Sequence, residues 1–266
     1  YTTLFRSVVL NQVKFMADEP NPTNAEKKQN LLSVLLRNLG IGSAGTVAVP
    51  GVNVRYHTVD LIDYANQYRD TRWVKEDAWF GTADQDLTAL NVGEDGEIEL
   101  AGVTYRLVRF RTAPKQDCIM LGAPGAPKPF ADAVRGIEVG RTCDMLFFLH
   151  AANVTKPVTQ EERDRMGIRR KPFKLPVVLK YVLHYADGQT AEIPVVLERN
   201  VDHWLQEDTQ PLPNAQVAWS HSVNGKKIVL YSMKAANLRP GVAIDTIDVV
   251  LGESGRAVPA VLAITL

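Results

Sequence analysis

Two cysteines in 266 residues are too few for a disulfide scaffold or a four-thiolate metal site. Charge of one sign is missing as well. Thirty basic and thirty acidic side chains cancel, removing the bulk attraction that grips nucleic acid or an acidic membrane. No apolar run approaches the ~20 residues that a membrane-spanning helix needs. Also absent are a nucleotide-binding glycine loop, a zinc helix, an EF-hand loop and a nucleophile elbow. What is present is ordinary for a chain with a buried core: 45% apolar and 23% charged residues. Its length suits one large domain or two ordinary ones.

Residues 6–16 form a run rich in β-branched side chains that predicts a strand. After a Pro/Asn turn, Asn24 is placed to cap a helix over 25–39, with Glu26 in its first turn. Leu31, Leu32, Leu35, Leu36 and Leu39 give that helix a wide apolar face, and Gly40 stops it. One strand and one amphipathic helix bury little by themselves, and no such pair recurs downstream. Residues 1–42 are therefore expected to be the terminal βα unit of an upstream α/β domain.

From 46 to 266 the texture changes to short apolar runs separated by turn signals. The runs are 97–110, 117–122, 144–151, 176–186, 190–198, 216–220, 227–233, 244–251 and 257–265. Asp95-Gly96, Asp187-Gly188 and Asn224-Gly225 read as hairpin turns, since glycine accepts the positive φ of tight turns. Many short strands at this spacing predict a mainly β fold, an antiparallel jelly-roll-like β-sandwich over 46–266. The loose alternation of 176–186 suggests a strand covered on both faces. The charged stretch 155–175 reads as an exposed excursion.

The chemistry-bearing residues are scattered. His57, His150, His184, His203 and His221 show no pair at ligand spacing, so structural roles are expected of them. Cys118 and Cys143 leave a disulfide and two isolated thiols equally open. Asp84, Asp86, Glu94 and Asp95 crowd one loop, which suits solvated charge or a structural Ca²⁺. Trp73, Trp79, Trp204 and Trp219 fall in or beside loops and strand ends. An indole can pack on the C–H face of a sugar, or it can simply fill a core.

Several segments, taken in order, carry a resemblance. They include His57-Thr58-Val59-Asp60-Leu61, Trp79-Phe80-Gly81, Asp117-Cys118-Ile119-Met120-Leu121 and Leu146-Phe147-Phe148-Leu149-His150-Ala151. Tyr185-Ala186-Asp187-Gly188, Asp202-His203-Trp204 and Arg239-Pro240-Gly241 continue the series. Together they resemble the accessory β-sandwich toward the C-terminus of large bacterial secreted glycoside hydrolases of the β-galactosidase type. Residues 1–40 resemble the end of the glutamine-amidotransferase-like α/β domain that often precedes it. The resemblance implies an extracellular or periplasmic accessory domain engaged in polysaccharide degradation.

The function expected is that of a non-catalytic module binding or positioning polysaccharide. Trp79 and Trp204 are the expected contacts, with Trp73 and Trp219 in reserve and Asp187 and His203 as hydrogen-bonding partners. Expected partners are a polysaccharide or oligosaccharide and the upstream domains of the same parent protein. No nucleic acid and no membrane are expected, a homo-oligomer is left open, and the only cofactor considered is the Ca²⁺. Two other functions compete. One is a purely structural inter-domain or oligomerisation module. The other is a glycoside hydrolase or lyase, which would need two carboxyl groups facing across a tryptophan-lined groove.

Overall fold

The computed structural model describes residues 54–70, 79–82, 85–109, 116–122, 130–166 and 173–266. The expected βα unit and Trp73 lie outside the described residues. So does Asp84.

The described strands are, in order, β1 (Glu97–Leu100), β2 (Val103–Arg106), β3 (Ile119–Met120), β4 (Ala133–Arg141), β5 (Met145–Val154) and β6 (Val177–Tyr185). They continue with β7 (Thr190–Val196), β8 (Leu205–Gln206), β9 (Ala215–Val223), β10 (Lys226–Ala236), β11 (Ile244–Leu251) and β12 (Ala257–Thr265). A short helix, α1 (Gln160–Asp164), precedes β6.

These strands form two large antiparallel sheets that do not close and a separate two-stranded hairpin, and the described residues fold as a β-sandwich. The inner sheet runs β3-β12-β5-β10-β8, with β9 also paired to β10. The outer sheet runs β4-β11-β6-β7, and β1-β2 is a separate hairpin. Phe148, Tyr231 and Ile264 of the inner sheet meet Tyr181, Val195 and Ile247 of the outer one in the first core. A second core lies on the far face of the inner sheet. There Leu149, Leu230 and Leu262 pack against Trp79, Leu87 and Tyr105 from the 79–107 segment.

Sequence follows directly from this layering. Every residue of β12 is buried, and its side chains are apolar until Thr265, as a strand walled on both faces requires. The Thr265 hydroxyl still finds a partner, donating to the Thr104 carbonyl at 2.8 Å. Strand β6 was expected to be covered on both faces, but its residues alternate between buried and half-buried from Leu179 onward. Only one of its faces meets the core, and Lys180 and His184 lie on the other.

Asp187-Gly188 joins β6 to β7, and Asn224-Gly225 joins β9 to β10 with φ of 50° and 76°. Asp95-Gly96 does not join two strands. It leads into β1, and the β1–β2 hairpin turns at Ala101-Gly102, with φ of 52° and 74°.

The first described segment is zipped to the last strand. His57 N–H donates to the Leu266 carbonyl at 2.8 Å and Leu266 N–H returns the bond at 2.8 Å. Much of the His57–Leu61 pattern is thereby accounted for by folding. The described parts of the 155–175 excursion, 155–166 and 173–175, are mostly exposed, as expected, and are anchored at several points. Thr159 and Glu162 close a capping box on α1, and Arg256 grips Glu162 through both guanidinium nitrogens at 2.9 and 2.5 Å. Arg163 reaches Glu198 at 2.5 Å, and Val158 is buried. Both cysteines are free thiols, Cys118 buried and Cys143 half-buried. Burial pushes the Cys118 thiol well above its usual range and that of Cys143 to about 11, which disfavours the thiolate form of each.

His150 sits in the first core with both ring nitrogens engaged, Nδ1 at 3.0 Å from the Tyr181 hydroxyl and Nε2 at 2.9 Å from the Asn200 carbonyl. The carbonyl accepts only, so Nε2 carries the proton and Nδ1 accepts from tyrosine. Burial drives the His150 pKa down to about 4, and the ring stays neutral.

Candidate functional site

Of the described site residues, Trp79, Trp204 and His203 come together, while Asp187 and Trp219 do not join them. Trp79, Phe80 and Trp204 form an aromatic cluster with centroid separations of 4.3, 5.4 and 6.0 Å. Trp79 is 0% exposed and Trp204 3%, so the two indoles placed first as sugar contacts offer no face to a ligand. The physical reason is the second core. The inner sheet must shed water from its far face, and large flat rings fill the space between it and the overlying segment.

His203 lies beside Trp204 and has a structural task. Its Nδ1 accepts from Val154 N–H at 3.0 Å at the end of β5. Burial lowers its pKa, with Lys226 adding to the effect, which keeps Nδ1 free of a proton. Its carbonyl accepts from Gln206 Nε2 at 2.7 Å, and the same amide reaches the Tyr231 hydroxyl at 2.6 Å.

Asp187 occupies the β6–β7 turn of the outer sheet. Both of its carboxylate oxygens bind the fork of Arg239, at 2.7 and 2.5 Å. That guanidinium holds the carboxyl below its usual range and also lies 5.2 Å from the Tyr185 ring centroid. The Tyr185 hydroxyl donates to Asn237 Oδ1 at 2.6 Å. Asp187 is therefore held as a staple between two loops.

Trp219 differs from the other described indoles. It stands on β9 opposite Leu230, half-buried against the second core. His221, two residues on and therefore on the same face, is exposed, with its ring centroid 5.9 Å away and nearly parallel at 16°. Ser220 and Ser222 are exposed between and beyond them. Among the described strands β9 borders only β10, so this aromatic pair stands at an open edge of the inner sheet.

A cleft of about 270 Å³ lies elsewhere, between the Asp60–Ile62 segment, the turn entering β1 and the exit of β2. Backbone chemistry shapes it. Asp60 Oδ1 accepts from Ile62 N–H and Asp95 Oδ1 from Glu97 N–H, each at 3.0 Å, fixing two Asx turns. Gly96, at φ 83°, lets the turn close on β2. Its carbonyl accepts from Leu107 N–H at 2.9 Å, and a Cβ there would sit 2.8 Å from the Leu107 carbonyl oxygen.

Beneath the exit of β2, Arg69 Nε meets Asp117 Oδ2 at 2.9 Å in a nearly buried pair, and Arg69 also donates to the Val108 carbonyl at 3.3 Å. Burial raises the Asp117 carboxyl above its usual range, against the pull of Arg69.

The cleft is lined by the carboxylates of Asp60, Glu94 and Asp95 and the guanidinium groups of Arg106 and Arg109, over apolar surface from Ile62, Leu107 and Val108. Among the described residues no tryptophan lines it. Glu94 and Asp95 are visible in the sequence as part of a crowded acidic loop, whereas Arg106 and Arg109 are hidden inside the apolar run 97–110. Among the described residues no group of three His, Cys, Asp or Glu side chains is disposed to hold a metal ion. Comparison of the sequence with protein-family models and with curated proteins finds no match in either.

Proposed function

We propose that this chain carries a non-catalytic β-sandwich module of a larger secreted carbohydrate-active enzyme, and that the module binds or positions polysaccharide. The observation that supports the reading is the pairing of Trp219 with His221 on the open edge strand. A half-buried indole is held rigid by the core on one side and leaves apolar ring surface for sugar C–H groups on the other. The exposed imidazole beside it supplies a donor and an acceptor for hydroxyls. Trp79 and Trp204 act from behind, as the core that fixes the sheet on which Trp219 stands.

Affinity electrophoresis on a panel of neutral and acidic polysaccharides tests the reading. Retardation on at least one polymer, lost in Trp219→Ala while Asp187→Asn is retarded like the parent, is the expected result. An unretarded parent protein across the panel would remove the binding role.

A further inference from the structure

The cleft between Asp60, the β1-entry turn and the exit of β2 has an unusual electrostatic arrangement. Three carboxylates and two guanidinium groups share about 270 Å³, yet no acid of the cleft pairs with either arginine among the described residues. Arg109 spends one nitrogen on the Gly93 carbonyl at 2.5 Å. Arg106 reaches Glu97, outside the cleft, only at 3.5 Å, and its buried Nε has no partner among the described residues. Glu94 has none either. Asp60 and Asp95 each turn one oxygen to a backbone N–H and keep the other available. Both signs of charge are thus held apart around a void rather than neutralised across it.

We propose that this cleft is a second binding site, and that it takes the carboxylate-bearing ring of an acidic saccharide, a uronate. The ligand's carboxylate enters the forks of Arg106 and Arg109, where planar N–H pairs match its two oxygens. Its hydroxyls donate to Asp60, Glu94 and Asp95, which as carboxylates accept only. Ring C–H groups lie on Ile62, Leu107 and Val108. Three acids against two arginines leave the cleft net negative, which repels densely anionic ligands such as sulfated or phosphorylated chains and admits a single carboxylate among hydroxyls. The volume is smaller than drug-sized pockets and suits one ring rather than several. Choosing a cyclic sugar over an open-chain hydroxy acid rests on the carbohydrate reading above; the charge pattern does not depend on Trp219.

Titration calorimetry on the full chain tests this with glucuronate, its uncharged amide glucuronamide, glucose and open-chain gluconate. The expected result is binding of glucuronate at least about tenfold tighter than of the other three, weakening as salt rises. Arg109→Ala removes the preference for glucuronate over glucuronamide, and Arg109→Lys, which keeps the charge but not the fork, restores only part of it. Equal affinity for glucuronate and glucuronamide, or no glucuronate binding by the parent protein, would overturn the site. Gluconate binding as tightly as glucuronate would overturn the saccharide assignment. Polysaccharide retardation that depends on Trp219, found together with no glucuronate binding, would sink this site and leave the edge-strand reading standing. Glucuronate binding without any retardation would do the reverse.

Discussion

The inner sheet is walled on both faces, whereas the outer sheet turns one face to water, and the difference decides what an aromatic or charged residue can do on each. On the outer sheet's solvent face, charged side chains pair across strands. Lys180 meets Glu192 at 3.0 Å, and Asp248 receives His184 at 3.1 Å and Arg135 at 3.2 Å. Lys180–Glu192 is an exposed pair of the kind that contributes little to stability, whereas Asp248 is buried beneath His184 and Arg135. The inner sheet has no such face. Its second surface is sealed by Trp79, Phe80, Tyr105 and Trp204, with even the Tyr105 hydroxyl satisfied internally by Ser232 Oγ at 2.6 Å. Where that covering layer ends, at β9, an indole is left half open to solvent. A tryptophan near a loop therefore reports on ligand contact only once the layer above its sheet is known.

Replacing a residue on each kind of surface sharpens the contrast. The largest effect is expected from Trp79→Ala, which empties the second core and should cost about 4 kcal/mol in chemical denaturation. Asp117→Ala strands the Arg69 guanidinium in a nearly buried position and should cost about 3 kcal/mol, whereas removing both partners together should cost less than the sum.

A pH effect of similar size is expected from the first core. His150 is neutral when folded, with its pKa near 4, while the unfolded chain takes up a proton near 6.5. Stability should fall as the pH is lowered from 6.5 to 4, by about 3 kcal/mol in total, and His150→Gln should flatten that part of the profile relative to the parent. The smallest effect belongs to the outer sheet's solvent face, where Val182→Ala should change stability by about 0.5 kcal/mol. A Val182→Ala cost rivalling that of Trp79→Ala would break the distinction between the sheets.

Much of the sandwich was legible. The alternating and continuous apolar runs marked β5 to β7 and β9 to β12, because β-branched residues on a half-buried surface leave a period of two. Strand β4 escaped notice. Its sequence Ala-Val-Arg-Gly-Ile-Glu-Val-Gly-Arg holds two glycines at φ of 71° and 61°, and its pairing with β11 shifts register twice, so no clean alternation survives. The signature of double-sided burial is the continuous apolar run 257–265, whereas in 176–186 the alternation is imperfect rather than absent.

The candidate sites were less legible for a different reason. Trp79 belongs to the third layer itself, and whether Trp204 or Trp219 reaches solvent depends on that layer, which comes from a part of the chain far away in sequence. The acids of the cleft were visible as a crowded loop. Their juxtaposition with Arg106 and Arg109 is set by the close approach at Gly96, and Asp60 arrives only because the 57–59 segment returns along β12.

The most direct test is fluorine NMR of the full chain labelled with 5-fluorotryptophan, each resonance assigned by a Trp→Phe variant and exposed to a soluble gadolinium chelate. The account predicts that the Trp219 signal broadens strongly while those of Trp79 and Trp204 stay sharp. Broadening of Trp79 or Trp204 to the same degree, or a Trp219 signal indifferent to the chelate, would contradict it.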